Sequence, residues 1–479
     1  MTLDAQPPAT GPEIGADEWV ARREGRREYL PSWLGKAQHA SDRIGWWPRL
    51  AVAGLAGLAL PLIGLGQFQL QVGIDSLVVA LLAVGLNIVV GWAGVLDLGY
   101  VAFMGIGGYG FALLSSAQLG IHLWAVASIP IVMIGAGVMG LVVGWPSRRL
   151  FGDYLAIVTL FFGEAFVEFT NNVAPGTFGG PNGIPGLDPL RVPGISLTSN
   201  DSYYYLLVIV LVVTMGVLRL LETSRTGRAW QAVREDPLAA ASMTIPVNRV
   251  KLMAFAFGAM VAALAGAIYA AQQISVFPTD FDTPFLIIVY AGLILGGAGS
   301  IAGAATGALV VMVIQDGVLR SPTYSGYIFY GVILLTLIAK LRPWRKLGAV
   351  LAILVAFGFA AHALAAVIWP AAVAGGPQST GFIATALRYW VIVPASPAVW
   401  GKFGFVLLIC LLIALVQIKG RWRTILLVPT IYLGAFVWES ILVAQPSVTR
   451  QLMIGAILIV MMNARPQGLL GKARVEVAT

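Results

Sequence analysis

The stretch TSRTGRAWQAVREDPLAAASMTIPVNRVKL, residues 223–252, carries Arg225, Arg228, Arg234, Glu235, Asp236, Arg249 and Lys251 in a chain that runs apolar on either side of it. It still reads as helix. GRAWQAVRE puts Trp230 and Val233 on one side and leaves Arg228 and Arg234 elsewhere. Asp236-Pro237 then restarts the helix, with Asp as N-cap and Pro at the first helical position. LAAASM is small enough to admit another backbone, and Ile245-Pro246 leads straight into an apolar run from Leu252. A structured, charged segment in such surroundings asks to be explained by whatever surrounds it.

The surroundings are membrane. Of 479 residues 58% are hydrophobic and 11% charged, against roughly 25% charged in soluble domains. Mean hydropathy is +0.85. The apolar material falls into runs long enough for a hydrocarbon core, which takes about 20 helical residues. The alternation of membrane β-strands is absent, so the chain reads as an all-α polytopic membrane protein. Candidate spans at 50–66, 72–90, 97–118, 124–145, 154–171, 203–221, 251–271, 284–297, 300–317, 326–341, 348–370, 403–418, 424–440 and 450–463 imply 11–14 transmembrane helices, some short or broken.

Loop charge orients the list. Taking the amino terminus as cytoplasmic, the inner loops hold Arg148 and Arg149; Arg225, Arg228, Arg234 and Arg249; Arg342, Arg345 and Lys346; Lys419, Arg421 and Arg423; and Arg465, Lys472 and Arg474. The outer loops 172–202 and 272–283 hold one basic residue, Arg191. That asymmetry is the positive-inside rule, so both termini are expected in the cytoplasm of a multi-pass plasma-membrane protein. The net charge of +8 then belongs to inner loops rather than to nucleic acid. Residues 1–46 form a polar extension whose ADEWVARREGRREYL suits either a basic helix on anionic lipid or a solvated arm. Trp46 and Trp47 anchor the first span at the interface.

Glycine is the second theme, with 56 in the chain. Gly140/Gly144, Gly292/Gly296 and Gly299/Gly303/Gly307 have the four-residue spacing that lets helices approach closely in lipid. The denser FMGIGGYG, with Gly105, Gly107, Gly108 and Gly110, reads as packing or as a broken helix beside a pathway. Cys410 lies alone in an apolar run, and His39, His122 and His362 have no metal-ligand spacing.

A charged helix–turn–helix on the cytoplasmic face suits docking into a groove on a soluble partner. Trp230, Leu238 and Met243 would form an apolar knob, with charges setting register. A flat helix on the bilayer surface is the competing reading, but it has no need of the break at Pro237.

The segment resembles the cytoplasmic coupling loop of binding-protein-dependent ABC importer permeases, and more narrowly the second (LivM-type) subunit of high-affinity branched-chain amino acid systems. NIVVGWAGVLDLGYVAFMGIGGYGFALL (87–114), GDYLAIVTLFFGE (152–164), FGGPNGIPG (178–186), SRTGRAWQAVRED (224–236), KLMAFAFGAMVAALAGAIYA (251–270), GGAGSIAGAATGA (296–308) and RPQGLLG (465–471) match in order. Two positions depart from the pattern: Thr244 stands where such loops usually have glycine, and Pro237 where an acidic residue is common. The resemblance implies a permease core over 47–344 with a coupling loop at 222–250, and a final span in 438–471 before a tail at 472–479. Residues 345–437 are extra helices inserted before that last span.

The same resemblance implies a second permease subunit, two ABC ATPase subunits and an extracytoplasmic substrate-binding protein as partners, with membrane lipid and no nucleic acid. The chain has no GxxxxGK[ST] phosphate loop, so it is not expected to be an enzyme. No cofactor is expected on this chain, ATP being used by the partner subunits. The coupling-loop residues are Arg228, Trp230, Arg234, Glu235, Asp236, Leu238, Ala239 and Ala240. Ionisable groups inside spans are costly enough to be functional suspects: Asp97, Glu164, Glu168, Asp316 and Glu439. Asn87, Asp97, Thr159 and Glu164 are expected to line or shape a narrow, largely apolar route, and Pro181, Asn182 and Gly183 are turn formers.

The expected function is therefore import of branched-chain (hydrophobic) amino acids into the cytoplasm by an ATP-driven machine. A urea or short-amide importer shares this architecture. A proton-coupled secondary transporter would use Glu164 but leaves the charged loop unexplained. A membrane enzyme would need a convergent polar cluster that the inventory lacks.

Overall fold

The computed structural model describes residues 45–470 apart from positions 65, 149–152, 174, 193–194, 321, 341–343, 377–384, 386, 419–420, 444 and 465–467. Most of the amino-terminal extension, the tail beyond 470, and Arg149, Arg342, Lys419 and Arg465 lie outside the described residues. Ten described helices are long and apolar enough to cross a bilayer, and four shorter apolar helices accompany them at 100–114, 325–338, 399–415 and 448–459. The fold is an all-α polytopic membrane bundle. Its only described sheet is three two-residue ladders in the loops.

Helix α1 (Trp46–Ala59) opens the bundle. α2 (Gln67–Leu86) continues into a π-helical turn, Asn87–Trp92. α3 (Tyr100–Leu114), α4 (Ala125–Gly144) and α5 (Asp153–Asn172) follow, then α6 (Asn200–Thr223). The charged segment forms α7 (Arg225–Glu235) and α8 (Pro237–Ser242). α9 (Val247–Gln273) returns through the bundle, and α10 (Thr283–Gly296) with α11 (Ile301–Met312) makes a tight hairpin. α12 (Pro322–Lys340), α13 (Trp344–Ile368), α14 (Pro397–Gln417), α15 (Arg421–Val437) and α16 (Pro446–Ala464) complete the chain.

α9 is the central post, about 40 Å long at 1.5 Å per residue. It packs against α2, α3 and α4 through Ala254, Gly258, Ala262, Ala263, Gly266, Ala267 and Ala270, all buried. In lipid no hydrophobic force drives helices together, so close approach of small residues does the holding. A side chain on Gly107 would collide with the Ala263 backbone, and one on Gly266 with the Met104 carbonyl. Gly140 meets the Phe255 carbonyl in the same way. The dense FMGIGGYG motif is thus a packing surface: α3 runs unbroken through it, and the break comes earlier, at 93–99. The α10–α11 hairpin repeats the device, since a Cβ on Gly292 would lie 2.7 Å from Ala308 Cα.

The chain also folds two long loops together on the face opposite α7 and α8. Ile184–Pro185 pairs with Ser275–Val276, and Ser116 bridges to Leu187. Gly183 has φ +62°, so the PNG sequence is a turn.

α13, α14 and α15 form a satellite. α13 and α14 pack on α15, burying Val350, Leu354, Val428 and Tyr432 in one small cluster. Leu387, Val391, Val393 and Ala435 form a second. Neither cluster merges with the main core, which ends near α11 and takes in only Ile454 from α16. Trp438, in the π-turn after α15, stacks on Phe329 of α12 at 4.1 Å between ring centres, tying α15 to α12.

Candidate coupling face and translocation groove

α7 leaves the end of α6 at a sharp corner. Ser224 caps it, its Oγ accepting from Gly227 N (3.3 Å) and donating to Leu221 O (2.6 Å). Gly227 sits on the Leu221 and Glu222 carbonyls, where any side chain would collide. Arg228 donates to Thr223 O at 2.6 Å and closes the corner. At the far end Asp236 is the N-cap of α8, its Oδ1 accepting from Leu238 N (2.8 Å) and Ala239 N (3.1 Å), with Pro237 at N1. Thr244 then takes φ +63°, a left-handed conformation that costs a residue with a side chain roughly 1–2 kcal/mol. That explains why glycine suits this position.

Two large apolar side chains project from this hairpin. Leu238 is 83% exposed and Met243 76% exposed. Arg228, Glu235, Asp236 and Ala239 are exposed around them, while Ala240 is buried. The expectation that Trp230 belongs to the same knob is corrected by the structure. Trp230 is 0% exposed; its Nε1 donates to Val250 O at 2.7 Å. Its ring stacks on Trp92 (6.0 Å between centres, 22°) and meets Phe257 edge-on. An indole with one polar atom is best enclosed where aromatic partners and a carbonyl coincide, and the start of α9 supplies both. Trp230 fastens the segment to the bundle; Leu238 and Met243 face away from it.

Arg234 is half-buried and lies between two glycine turns. A Cβ on Gly94 would fall 2.7 Å from its Cγ, and one on Gly299 would fall 2.9 Å from its Nη1. Both glycines have positive φ, +69° and +101°.

Of the four route residues, three are enclosed. Asn87, Asp97 and Thr159 are each 0% exposed. Asn87 Oδ1 accepts from Gly299 N at 2.7 Å. Asp97 Oδ1 accepts from Gly99 N at 3.0 Å, just before α3 begins. Tyr290 OH donates to Asp97 O at 2.6 Å. Thr159 Oγ1 accepts from Leu98 N at 2.9 Å and donates to Ala156 O at 3.0 Å. Asp97 and Thr159 hold the 93–99 break in place, and Asn87 holds the turn at 297–300.

Glu164 differs. It is exposed, accepts a hydrogen bond from Thr283 Oγ1, and borders a groove with Asp282, Gly99, Val101, Ala102, Val167, Phe281 and Leu286. The groove has two carboxylates and the Thr283 hydroxyl on a wall that is mostly apolar in its residues. The remaining intramembrane suspects are paired: Asp316 with Arg450 at 2.6 Å, Glu168 with Asn172 Nδ2 at 2.6 Å, and Glu439 with Tyr330 OH at 3.4 Å. Among the described residues no three His, Cys, Asp or Glu side chains gather as a metal site.

Sequence reading missed Asp282 and Tyr290, and it missed the turn at 297–300 as a meeting point. The signal for the last was present, because GGAGS is denser in glycine than helix packing needs.

Comparison with known proteins agrees with this geometry. Residues 69–338 match the family model described as branched-chain amino acid transport system / permease component. The chain is 35% identical over 297 residues to the high-affinity branched-chain amino acid transport system permease protein LivM of Escherichia coli K12, covering 57% of this chain and 68% of that one. Identity to the LivM protein of Salmonella typhimurium is 34% over the same shares. To the BraD permease protein of Pseudomonas aeruginosa it is 26%, covering 56% of this chain and 91% of that one. No solved structure matches significantly. Residues 1–68 and 339–479 lie outside the residues that the family model matches. With the match spanning the charged hairpin, the glycine-packed post and the groove alike, the chain belongs to the branched-chain amino acid transport system permease family.

Proposed function

We infer that this chain is the membrane-spanning permease subunit of an ATP-driven, binding-protein-dependent importer that carries branched-chain amino acids into the cytoplasm. One observation carries the mechanism: Leu238 and Met243 stand almost fully exposed on a capped helical hairpin that Trp230 pins to the bundle. Burying an apolar side chain of that size is worth about 1.5–3 kcal/mol, enough for the pair to anchor a soluble partner. Separate ATPase subunits dock there, and Arg228, Glu235 and Asp236 orient them. This chain then binds no nucleotide of its own. The loop charges favour a cytoplasmic hairpin and cytoplasmic termini.

Glu164 supports the placing of the route. A carboxylate facing hydrocarbon near mid-bilayer costs on the order of 2.5–3.5 kcal/mol. The face of α5 that carries Glu164 therefore turns toward water or toward a second permease subunit. The two carboxylates at the rim of the groove beside it suit an ammonium group. Glu164→Gln is expected to lower leucine uptake by about tenfold, the scale of a lost charge-assisted hydrogen bond, while leaving ATPase recruitment unchanged. Wild-type uptake in that variant would move the route away from α5.

The test of the whole reading is isolation of the tagged chain in mild detergent with identification of its companions by mass spectrometry, followed by uptake assays in proteoliposomes. Two ATPases, a second permease and ATP-dependent leucine uptake support it. ATP-independent uptake driven by a proton gradient, with the chain recovered alone, returns the secondary transporter. Uptake of urea in place of leucine replaces the substrate and keeps the machine.

A further inference from the structure

We propose that the Gly296–Ser300 turn is the relay through which the coupling hairpin moves α10, and that the carboxy-terminal Gly468–Leu470 segment is its latch. The proposal rests on the coupling role given to α7 and α8 above, and it names the parts that transmit the motion.

Four segments far apart in sequence meet at this turn. Asn87 Oδ1 accepts from Gly299 N at 2.7 Å, and Trp92 Nε1 donates to Gly299 O at 3.3 Å. One residue of the turn is thus held on both its backbone groups by the end of α2. The Arg234 guanidinium lies against the same residue. On the other side Leu469 N donates to Leu295 O at 2.8 Å and Leu470 N to Gly296 O at 2.9 Å. A helix end leaves its last carbonyls without intrahelical partners; here the carboxy-terminal backbone supplies donors for two of them. Gly468, at φ +77°, abuts Gly297, at φ +109°, with no room for a side chain between them. Only glycine adopts these conformations at little cost, so the turn's shape is set by its sequence and its position by its three neighbours.

The mechanical path follows from these contacts. Trp230 grips Val250 of α9 and stacks on Trp92, while Arg234, one helical turn further on, touches Gly94 and Gly299. A displacement of α7 reaches Gly299 by both routes. From there α10 acts as a rod about 21 Å long. Midway along it Tyr290 holds the Asp97 backbone. At its far end Thr283 bonds Glu164 at the groove. One helix therefore joins the turn beside Arg234 to the groove.

The experiment uses the complete importer reconstituted with its binding protein. Arg234→Met keeps the aliphatic stem beside Gly94 and removes the guanidinium from Gly299; a second variant ends the chain after Gly468 and removes the latch. Co-purified ATPase, ATP hydrolysis, melting temperature and leucine transported per ATP are measured for each. The expected result is wild-type ATPase capture and melting, hydrolysis within about twofold, and leucine per ATP lowered by about tenfold, the range over which coupling residues act. An unchanged ratio in both variants overturns the relay. So does loss of the ATPase from Arg234→Met, which would make Arg234 a docking residue. A wild-type complex without ATPases would instead refute the parent reading, and the two failures are thereby told apart.

Discussion

Leu238→Asp is expected to abolish ATP-dependent uptake and to release the ATPase subunits from the permease, while the bundle stays folded. Leu238 is 83% exposed, so the substitution removes little internal packing. Its neighbours on α8 remain capped by Asp236. Removing a buried leucine from an interface costs about 1.5–3 kcal/mol, and seating a carboxylate in the apolar pocket it leaves adds a desolvation penalty of similar size or larger. Each 1.4 kcal/mol is tenfold in affinity, so ATPase capture falls by roughly a hundredfold or more. Leu238→Ala, losing only the apolar part, falls between. The readouts are co-purified ATPase at graded concentrations and uptake in vesicles. Full uptake by the Asp variant would place the docking surface elsewhere.

Trp230→Ala is expected to act in the opposite order, on the permease first. The ring is wholly enclosed, stacked on Trp92 and bonded to Val250 O. Emptying a site of that size costs about 3–5 kcal/mol, a large fraction of the stability of one part of a membrane bundle. α7 then loses its main hold on α9, and backbone amides between 225 and 235 exchange much faster. Trp230→Phe keeps a ring for the stack but forfeits the hydrogen bond, worth about 0.5–1.5 kcal/mol, and should show an intermediate exchange rate. ATPases still bind through Leu238 and Met243, so hydrolysis continues while uptake falls. Exchange measured by mass spectrometry, alongside uptake, checks both parts. Unchanged protection in the Ala variant would mean that the hairpin is held by something other than this tryptophan.

The two residues show where sequence reading reached and where it stopped. Trp230 and Leu238 are both large, apolar and set in a charged helical segment. One-dimensional pattern gives them the same role. They diverge because Trp230 is enclosed between Trp92 and the start of α9, while Leu238 lies on the exposed side of α8. Trp92 and Val250 come from segments 138 and 20 residues away, and that proximity has no local signature. Asp236 was legible because an N-cap needs only its own next three residues. Thr244 was legible as a departure, and the structure adds the reason: a left-handed φ that glycine takes more easily.

The route residues divide along the same line. Asn87, Asp97, Thr159 and Glu164 all stood out as polar groups in apolar runs, because burying an unpaired polar group is costly anywhere in a membrane. Cost marks them but does not distinguish a lock from a lining. Asn87 spends its oxygen on Gly299, Asp97 its oxygen on Gly99, and Thr159 its oxygen on Leu98. Glu164 is exposed at the groove, bonded by Thr283, a residue 119 positions on.

The sequence by itself determined that this is a helical membrane bundle, since only about 20-residue apolar runs satisfy the backbone inside lipid. It also determined where the charged hairpin starts, breaks and ends, since caps and prolines act within a single turn. Only the tertiary structure decided which of the hairpin's apolar residues is enclosed and which is exposed, and which carboxylates border the groove. It alone brought residues 87, 92, 234, 299 and 468–470 to one turn. Those outcomes depend on which helices become neighbours, and glycine and alanine faces allow close approach without naming the partner.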